Sequence, residues 1–388
     1  MTYNPHHCLI CQEQKLEHVP GFNQLPRVTS DAKPFESGGT LCACMGCGTI
    51  QKIPDPQFLA EISGIYSAYE LYKTAHGNEQ VVFTSKGPQK RSQVLTDFLE
   101  SEINIGHVKK ILDVGCGNGA ALRTYSRRFP NAALWGAELS DRNLASLETI
   151  PAFRQLFTSE LAEIKEKFDL LSIIHVLEHV INPVQFISDC VALLAPSGHL
   201  LIDVPDVKSS PFDLIIADHL THFSENTLEL AITKTGYLRR HLSNRVLSKE
   251  LTALVTPTRA EHNETACDDG YQHATRMVTW LRCVLDEAHQ ISASQNVGIF
   301  GTAMAGMWLY GAIRGRVDFF VDEDPSKVGG TIDGIPVVHP STTTTVPVVI
   351  PLPAPLAVSI SERWSGEGRH FVPLGARSEA GLYKEKPN

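Results

Sequence analysis

The sequence lacks several features that would place it outside the cell interior. It has no run of about 18 apolar residues, the length that a membrane span requires, and the N-terminus MTYNPHHCLICQEQK lacks the apolar core of a signal peptide. Five of its nine cysteines lie within the first fifty residues and the other four are scattered, which does not suit a secreted disulfide framework. These absences predict a cytoplasmic protein without a membrane partner.

The sequence also lacks an excess of positive charge. Lysine and arginine total 34 against 43 aspartates and glutamates, the net charge is -9 and the pI is about 6.0. Basic residues form only short clusters such as Arg127–Arg128 and Arg239–Arg240, whereas nucleic-acid enzymes usually carry a basic patch or stripe. We therefore expect no nucleic acid partner. An enzyme acting on nucleic acid remains an alternative, with salt-dependent RNA binding as its signature.

The length of 388 residues predicts two or three domains. Residues 1–75 are rich in cysteine and proline, residues 76–245 alternate apolar runs with helical stretches, and residues 246–388 begin with a polar connection, expected to be helical, before alternating again. We divide the chain at these positions. The sequence does not indicate an oligomeric state.

The middle segment predicts a parallel, doubly wound α/β sheet, because apolar strands alternate with helices. A helix is expected after Ser224 as its N-cap, with Gly236 just beyond its end. The other predicted elements are strand 109–115, helix 119–129, strand 133–139, strand 153–158, strand 168–176, helix 184–196 and strand 199–205. The last segment predicts a second, smaller α/β unit, with strands at 296–301, 317–324 and 347–353.

Two CxxC pairs mark the first segment, Cys8 with Cys11 and Cys44 with Cys47. Zinc prefers four tetrahedral thiolate or imidazole ligands, and each CxxC turn presents two sulfurs to one ion. Four sulfur ligands leave no open position for water, so the spacing predicts a structural zinc site. Cys42 is a possible substitute ligand, His6 and His7 are weaker ones, and four free thiols are the alternative.

A glycine-rich loop, ILDVGCGNG (111–119), follows the first strand of the middle segment. Its glycines would let the backbone approach a ligand at the start of the next helix. Glu138 ends the following strand, where a carboxylate can accept both hydroxyls of a ribose. The spacing is GxGxG, not the GxGxxG of dinucleotide-binding enzymes.

These features, together with FDLLSIIHVLEHV (168–180), resemble class I S-adenosylmethionine (SAM) methyltransferases. The resemblance implies SAM as cofactor, with the loop around its methionine part, Glu138 on its ribose and His175 nearby. Glu178 and His179 are interpreted as stabilising the turn. The candidate cofactor-binding residues are Asp113, Gly115, Cys116, Gly117, Asn118, Gly119, Glu138, Leu139 and His175.

The order of parts resembles the sugar C-methyltransferases, which act on nucleotide-linked keto-deoxysugars. Residues 8–51 look like the zinc-binding start of that family, and VDFFVDEDPSKVGGTIDGIPVVHP (317–340) resembles its C-terminal domain. Tyr66, Tyr69 and Tyr72 fall where that family has a tyrosine-rich stretch near its active site. The resemblance implies a nucleotide-linked sugar as the small-molecule substrate.

The stretch ADHLTHFS (217–224) matches the catalytic stretch of that family in part. His219 stands where the family has its general base, Asp218 where it has glutamate, and His222 where it has tyrosine. Our hypothesis is that His219 removes the proton next to the ketone, His222 binds or protonates the enolate oxygen and Asp218 orients an imidazole. A tyrosine from the 66–72 stretch would complete the pocket. A structural role and a metal-binding role for the two histidines are the alternatives.

Other functions remain open. The partial match at 217–224 favours methylation of oxygen or nitrogen in another small metabolite or glycan precursor, and a non-catalytic protein that binds SAM, zinc and a partner is a third possibility. In the last segment Gly298, Gly301 and Gly306 follow a strand, and Asp322 and Asp324 close the next one. That set could form a nucleotide pocket or serve only packing between helix and strand.

Overall fold

The computed structural model describes residues 6–68, 79, 81–84, 87–259, 267–343, 345–366 and 368–376. Tyr69 and Tyr72, two of the predicted pocket residues, lie outside this part of the chain. Within it, no helix is both long enough and apolar enough to cross a membrane.

The first segment forms short strands and one helix. The helix begins at Pro56, after Asp55 has accepted a hydrogen bond from the Phe58 backbone N–H at 2.8 Å, which is a favourable N-cap. The elements are β1 (Leu16–His18), β2 (Arg27–Val28), β3 (Pro34–Phe35), β4 (Leu41–Cys44), β5 (Ile50–Lys52), α1 (Pro56–Ser67), β6 (Val81–Thr84) and β7 (Gly87–Lys90).

The middle segment contains the central sheet, with strand order β10-β9-β8-β11-β12-β15-β14. The first five of these strands are parallel, and β15 is antiparallel to both of its neighbours. The elements are α2 (Arg91–Glu102), β8 (Lys110–Val114), α3 (Ala120–Arg128), β9 (Ala133–Ala137), α4 (Leu144–Leu147), β10 (Phe153–Phe157), β11 (Phe168–Ile174), α5 (Pro183–Ala192), β12 (Leu194–Pro205), β13 (Thr221–His222), α6 (Glu225–Thr235), β14 (Tyr237–Ser243) and β15 (Glu250–Arg259). The predicted Rossmann-like α/β fold is confirmed for this segment.

Three details differ from the sequence-based prediction. The central sheet continues past residue 245, because Glu250–Arg259 pairs with β12 and β14. The connection expected to be helical there is therefore first a strand, and the helix begins at Gly270. The helix predicted to reach residue 196 ends at Ala192, because β12 begins at Leu194 to pair with β11.

The last segment forms a second sheet, with strand order β18-β19-β17-β16-β20-β21. It is parallel apart from the hairpin of β18 and β19. The elements are α7 (Gly270–Ser294), β16 (Val297–Phe300), α8 (Met304–Ile313), β17 (Val317–Val321), β18 (Thr331–Ile332), β19 (Ile335–Val338), β20 (Val348–Ile350), α9 (Ala354–Trp364) and β21 (Phe371–Pro373).

One apolar core joins all three segments. The Phe212 ring lies 5.6 Å from the rings of both Trp280 in α7 and Trp308 in α8. Phe22 from the first segment belongs to the same buried cluster, and the Trp308 indole donates a hydrogen bond to the Pro26 carbonyl at 2.8 Å. Because this core draws on every segment, we expect their stabilities to be coupled.

A far part of the chain completes the sheet of the first segment. Strand β13, which carries His222, pairs antiparallel with β5, so the sheet order is β1-β4-β5-β13. His222 lies opposite Ile50 and Thr221 opposite Gln51. The cysteine-bearing segment therefore holds the 217–224 stretch in place.

Candidate active site and cysteine cluster

The glycine loop turns tightly between β8 and α3. Gly115, Gly117 and Gly119 have φ angles of 72°, 51° and 86°, in the left-handed region that favours glycine. A Cβ atom on Gly115 would lie 2.4 Å from the Val176 side chain. The loop thus packs directly against the segment that follows β11 and can admit a ligand close to its backbone.

Glu138 faces this loop from the end of β9. Its carboxylate accepts hydrogen bonds from the Gly117 and Leu139 backbone N–H groups, both at 2.9 Å. Carboxylate oxygens have further lone pairs for the two hydroxyls of a ribose. Leu139 beside it is 81% exposed, which leaves an apolar surface for a flat base. The positions and chemistry of Glu138 and Leu139 are therefore compatible with the SAM site that the resemblance implies.

Asp113 supports the loop from within the sheet. Its side chain is buried and accepts a hydrogen bond from the Ser172 hydroxyl at 2.6 Å. Burial raises the pKa of Asp113 to about 7, although the bond from Ser172 favours the charged form. Asp113 links β8 to β11 beneath the loop.

His175 occupies the carboxyl edge of the sheet, at the end of β11. Its φ of 53° is unusual for a residue other than glycine. Its Nδ1 lies 3.0 Å from Glu178 Oε1, and its Nε2 lies 3.5 Å from Glu250 Oε1. Burial and the Arg91 guanidinium oppose protonation, but Glu250 and Glu178 outweigh them and raise the pKa of His175 to about 10.

The 217–224 stretch is organised by an aspartate that the sequence did not indicate. Asp213 accepts one hydrogen bond from each histidine, with His219 Nδ1 and His222 Nδ1 both at 2.7 Å. Both rings are almost fully buried, and burial lowers the pKa of His222 to about 4. His222 is thus fixed between β5 and Asp213, while the Nδ1 bond of His219 leaves its Nε2 for other partners.

Asp218 orients a different imidazole from these two. Its carboxylate accepts hydrogen bonds from the Ser30 N–H at 2.8 Å and the Ser30 hydroxyl at 2.5 Å. Its Oδ2 lies 3.5 Å from His179 Nδ1, and its backbone carbonyl lies 2.9 Å from the same nitrogen. The predicted role of Asp218 as an orienting residue therefore fits His179 and not His219 or His222.

His179 brings the predicted tyrosine stretch to the same place. Its ring lies 4.7 Å from the His219 ring and 6.1 Å from the Tyr66 ring, edge to face in both cases. The Tyr66 backbone carbonyl accepts a hydrogen bond from Arg142 at 3.1 Å, in the loop after Glu138. Helix α1 therefore reaches from the histidines to the loop that follows Glu138.

Lys52 is a fully buried lysine beneath the histidines. Its ammonium donates hydrogen bonds to the carbonyls of His219, at 2.6 Å, and of Ile216. Burial lowers the pKa of Lys52 to about 7. The bonds hold the backbone of the 216–219 turn against β5.

The four cysteines of the two CxxC pairs converge. Cys8 Sγ lies 3.6 Å from Cys47 Sγ, Cys11 Sγ lies 3.5 Å from Cys44 Sγ, and all four sulfurs lie within 4.8 Å of one another. Sulfurs around one tetrahedral zinc lie about 3.8 Å apart, given Zn–S bonds of about 2.3 Å. The cluster is compatible with zinc, and it includes Cys44 but not Cys42.

Two glycines of the last segment, Gly298 and Gly306, allow close packing between strands and helices. A Cβ atom on Gly298 would lie 2.3 Å from the Phe319 ring, and one on Gly306 would lie 1.9 Å from the Gly301 carbonyl oxygen. Asp322 accepts a hydrogen bond from the Thr302 hydroxyl at 2.6 Å and lies 3.3 Å from the Lys327 ammonium. These contacts favour the packing interpretation of Gly298 and Gly306.

The first comparison with known proteins concerns the middle of the chain. Residues 88–241 match the family model described as "Methyltransferase domain". This match covers the glycine loop, Glu138 and the 217–224 stretch, so residues 88–241 are similar to a methyltransferase domain.

Among curated proteins, the chain is similar to ubiquinone biosynthesis O-methyltransferases. That of Alkalilimnicola ehrlichii is 32% identical over 29% of this chain and 49% of its own length. That of Idiomarina loihiensis is 26% identical over 44% of this chain and 70% of its own. The chain thus spans about half the length of the first of these relatives.

Solved structures of methyltransferases also match the chain. The mitomycin 7-O-methyltransferase is 14% identical with a TM-score of 0.40, covering 54% of this chain and 62% of its own. The plantazolicin methyltransferase, solved with S-adenosylhomocysteine (SAH), is 12% identical with a TM-score of 0.38, covering 53% of this chain and 92% of its own.

Proposed function

Since residues 88–241 are similar to a methyltransferase domain, we propose that the chain transfers the methyl group of SAM to a small molecule bound beside Glu178, His179 and His219. We name these three residues the His–Glu cluster. The observation that carries the proposal is the contact between the Gly115 loop and the segment after β11, since that segment also bears Glu178 and His179. Cofactor and acceptor would therefore meet at the carboxyl edge of the central sheet, where open α/β sheets bind ligands.

The transfer itself is a displacement at the methyl carbon. The acceptor atom forms the new bond to that carbon, and the sulfur of SAM keeps the electron pair of the broken bond, which yields SAH. The protein has to align the two atoms and keep water away. Either a carbon next to a ketone or a hydroxyl must give up a proton in the process. With no metal ion bound, we assign this proton to Nε2 of His219, because Asp213 already holds its Nδ1.

The leading acceptor is a carbon next to the ketone of a nucleotide-linked keto-sugar. This proposal rests on the sequence resemblance, and it gains support from the way β5 of the cysteine-bearing segment pairs with β13 at His222. In such an arrangement the N-terminal segment shapes the acceptor side of the pocket, with Tyr66 as one wall.

Methylation of a hydroxyl oxygen is the second candidate. It is favoured by the relatives named ubiquinone biosynthesis O-methyltransferase. It is also favoured by His222, whose ring is buried on Asp213 and so is poorly placed to bind an enolate oxygen.

The four clustered cysteines are proposed to bind one structural zinc ion. Sulfur supplies all four ligands, so no position remains for a substrate. The proposed role of the ion is to fix the two CxxC turns and, through β4 and β5, the backbone of the 217–224 stretch.

The test is methyl transfer from SAM labelled with ¹³C in its methyl group, offered with nucleotide-linked keto-sugars and with phenols. NMR identifies the atom that carries the label. A label on a ring carbon next to the ketone supports the leading acceptor, and a label on oxygen supports the second. Binding of SAM without transfer to any acceptor would favour a non-catalytic SAM-binding protein.

A further inference from the structure

The His–Glu cluster has the ligand set of a metal site. Glu178, His179 and His219 each offer one ligand atom, and these atoms lie within 4.8 Å of one another. Two imidazoles and one carboxylate bind divalent first-row metals in proteins and leave coordination positions open. The sequence suggested His219 with His222 as a metal-binding pair, but the fold places His219 with Glu178 and His179.

Both imidazoles are already held as ligating histidines usually are. His219 Nδ1 lies 2.7 Å from Asp213 Oδ1, and His179 Nδ1 lies 2.9 Å from the Asp218 carbonyl oxygen. A histidine that binds a metal through one nitrogen typically bonds through the other to a carboxylate or a carbonyl. The Nε2 atoms of both rings are thereby left for an ion.

Glu178 supplies an independent indication. Its side chain is 1% exposed, its Oε1 bonds to His175 at 3.0 Å, and its Oε2 has no hydrogen-bond partner within the described part of the chain. A buried carboxylate oxygen without a partner is costly. A metal ion between Oε2 and the two imidazoles would satisfy it.

A neighbouring group also has the ligand types of a metal site, but it already contains a cation. His175, Asp203 and Glu250 also lie within 4.8 Å of one another. There, however, the Arg91 guanidinium already bonds to both oxygens of Glu250, at 2.8 and 3.0 Å. A resident cation therefore already balances the charge of Glu250. Asp203 Oδ2 of that group also has no hydrogen-bond partner within the described residues, so the comparison of Glu178→Gln with Glu250→Gln below decides between the two groups.

We propose that Glu178, His179 and His219 bind one divalent first-row metal ion, separate from the four-cysteine cluster. Its catalytic consequence rests on the proposed function: the open positions would take the carbonyl or hydroxyl oxygen of the acceptor and lower the pKa of the proton to be lost. Metal and proton compete for Nε2 of His219. With the ion bound, His219 is a ligand, and the proton of the acceptor passes to water.

The experiment is a Mn²⁺ titration of the full-length protein, with free Mn²⁺ followed by electron paramagnetic resonance. Mn²⁺ prefers oxygen and nitrogen ligands, so it reports on the His–Glu cluster and not on the cysteines. We expect the wild-type protein to bind one Mn²⁺ per chain. The variants Glu178→Gln and His219→Ala are expected to bind it at least about ten-fold more weakly. The matched control His289→Ala alters an exposed histidine on α7 and keeps wild-type binding.

Anomalous diffraction from wild-type crystals soaked in Mn²⁺ locates the ion without any variant, and a peak between the three side chains supports the proposal. Failure of the wild-type protein to bind Mn²⁺ overturns it. So does Mn²⁺ binding that survives Glu178→Gln but is lost in Glu250→Gln, because the ion then belongs to the neighbouring group. SAM binding is measured on the same samples. Normal SAM binding in a protein that does not bind Mn²⁺ at the His–Glu cluster overturns the metal site alone, whereas loss of SAM binding counts against the proposed function.

Discussion

At the scale of single residues, burial decides the protonation of Asp113 beneath the glycine loop. Burial raises its pKa from 3.8 to about 7, so the folded state holds a proton that the unfolded state releases. This contribution to stability is complete below about pH 4 and is lost as the pH rises through about 7. Above that pH the folded protein carries a buried carboxylate.

Asp113→Asn removes this pH dependence and keeps an oxygen to accept the Ser172 hydrogen bond. Between about pH 5 and about pH 8, we expect the free energy of unfolding of the wild type to fall by about 2 kcal/mol relative to the variant. Denaturant unfolding of both proteins at several pH values measures the difference. Parallel pH curves would show that Asp113 ionises normally in the folded protein.

Residues whose position depends on local geometry could be predicted from the sequence. Asp113 and Glu138 lie at or next to the ends of strands that precede turns, so their place at the sheet edge followed from the strand pattern alone. Asp213 and Lys52 could not be found in this way. Lys52 meets the backbone of the histidine turn through the pairing of β5 with β13, which are separated by about 170 residues, and no local signal in the sequence encodes that pairing. Asp213 lies only six residues before His219, at the end of a short helical turn that no motif in the sequence indicated.

At the scale of elements, helix α6 follows its capping signals. The Ser224 hydroxyl accepts a hydrogen bond from the Thr227 N–H at 3.3 Å, and the Thr227 hydroxyl accepts one from the Ser224 N–H at 2.9 Å. Gly236 ends the helix with a φ of 71°. Both ends match the prediction, because caps are local interactions.

Ser224→Ala tests how much this cap contributes. We expect the free energy of unfolding to fall by about 1 kcal/mol, the usual cost of losing a serine N-cap. Denaturant unfolding measures the loss, and Ser294→Ala, near the end of α7, is the control with an effect of only a few tenths of a kcal/mol. Equal effects of the two substitutions would mean that the cap contributes nothing specific.

Strand β15 shows where prediction of elements from the sequence stopped. The run ELTALVTPTR is apolar in its first half, but it follows a polar stretch, so the sequence predicts a helical connection there. Its strand conformation comes from antiparallel pairing with β12, in which Glu250 lies opposite Pro205 and Thr252 opposite Asp203. Such long-range pairing can override local preference.

At the scale of the whole molecule, the first segment supports the acceptor side of the proposed active site. Cys8, Cys44 and Cys47 share an apolar cluster with Leu112 and other residues of the central sheet. Strand β5 holds Thr221 and His222. A change at the cysteines is therefore expected to reach the His–Glu cluster through β4, β5 and β13.

Cys11→Ser removes one ligand of the proposed zinc site. We expect methyl transfer to fall by about ten-fold or more, because displacing catalytic groups by about 1 Å can cost 100-fold, while SAM binding changes by less than about three-fold. The assay is labelled methyl transfer beside calorimetric SAM binding and metal analysis. Cys283→Ser, on α7, is the matched control. Full activity in a zinc-free Cys11→Ser protein would show that the active site does not depend on the cysteine cluster.

The central claim is that the glycine loop and Glu138 bind SAM, and calorimetric titration of SAM into the full-length protein tests it most directly. The account predicts one SAM per chain, bound about ten-fold more weakly by Glu138→Gln, because hydrogen bonds to a charged group contribute about 1.5–3 kcal/mol. The control Glu160→Gln changes an exposed glutamate and keeps wild-type affinity. A wild-type protein that does not bind SAM, or a Glu138→Gln variant that binds it equally well, would contradict the account.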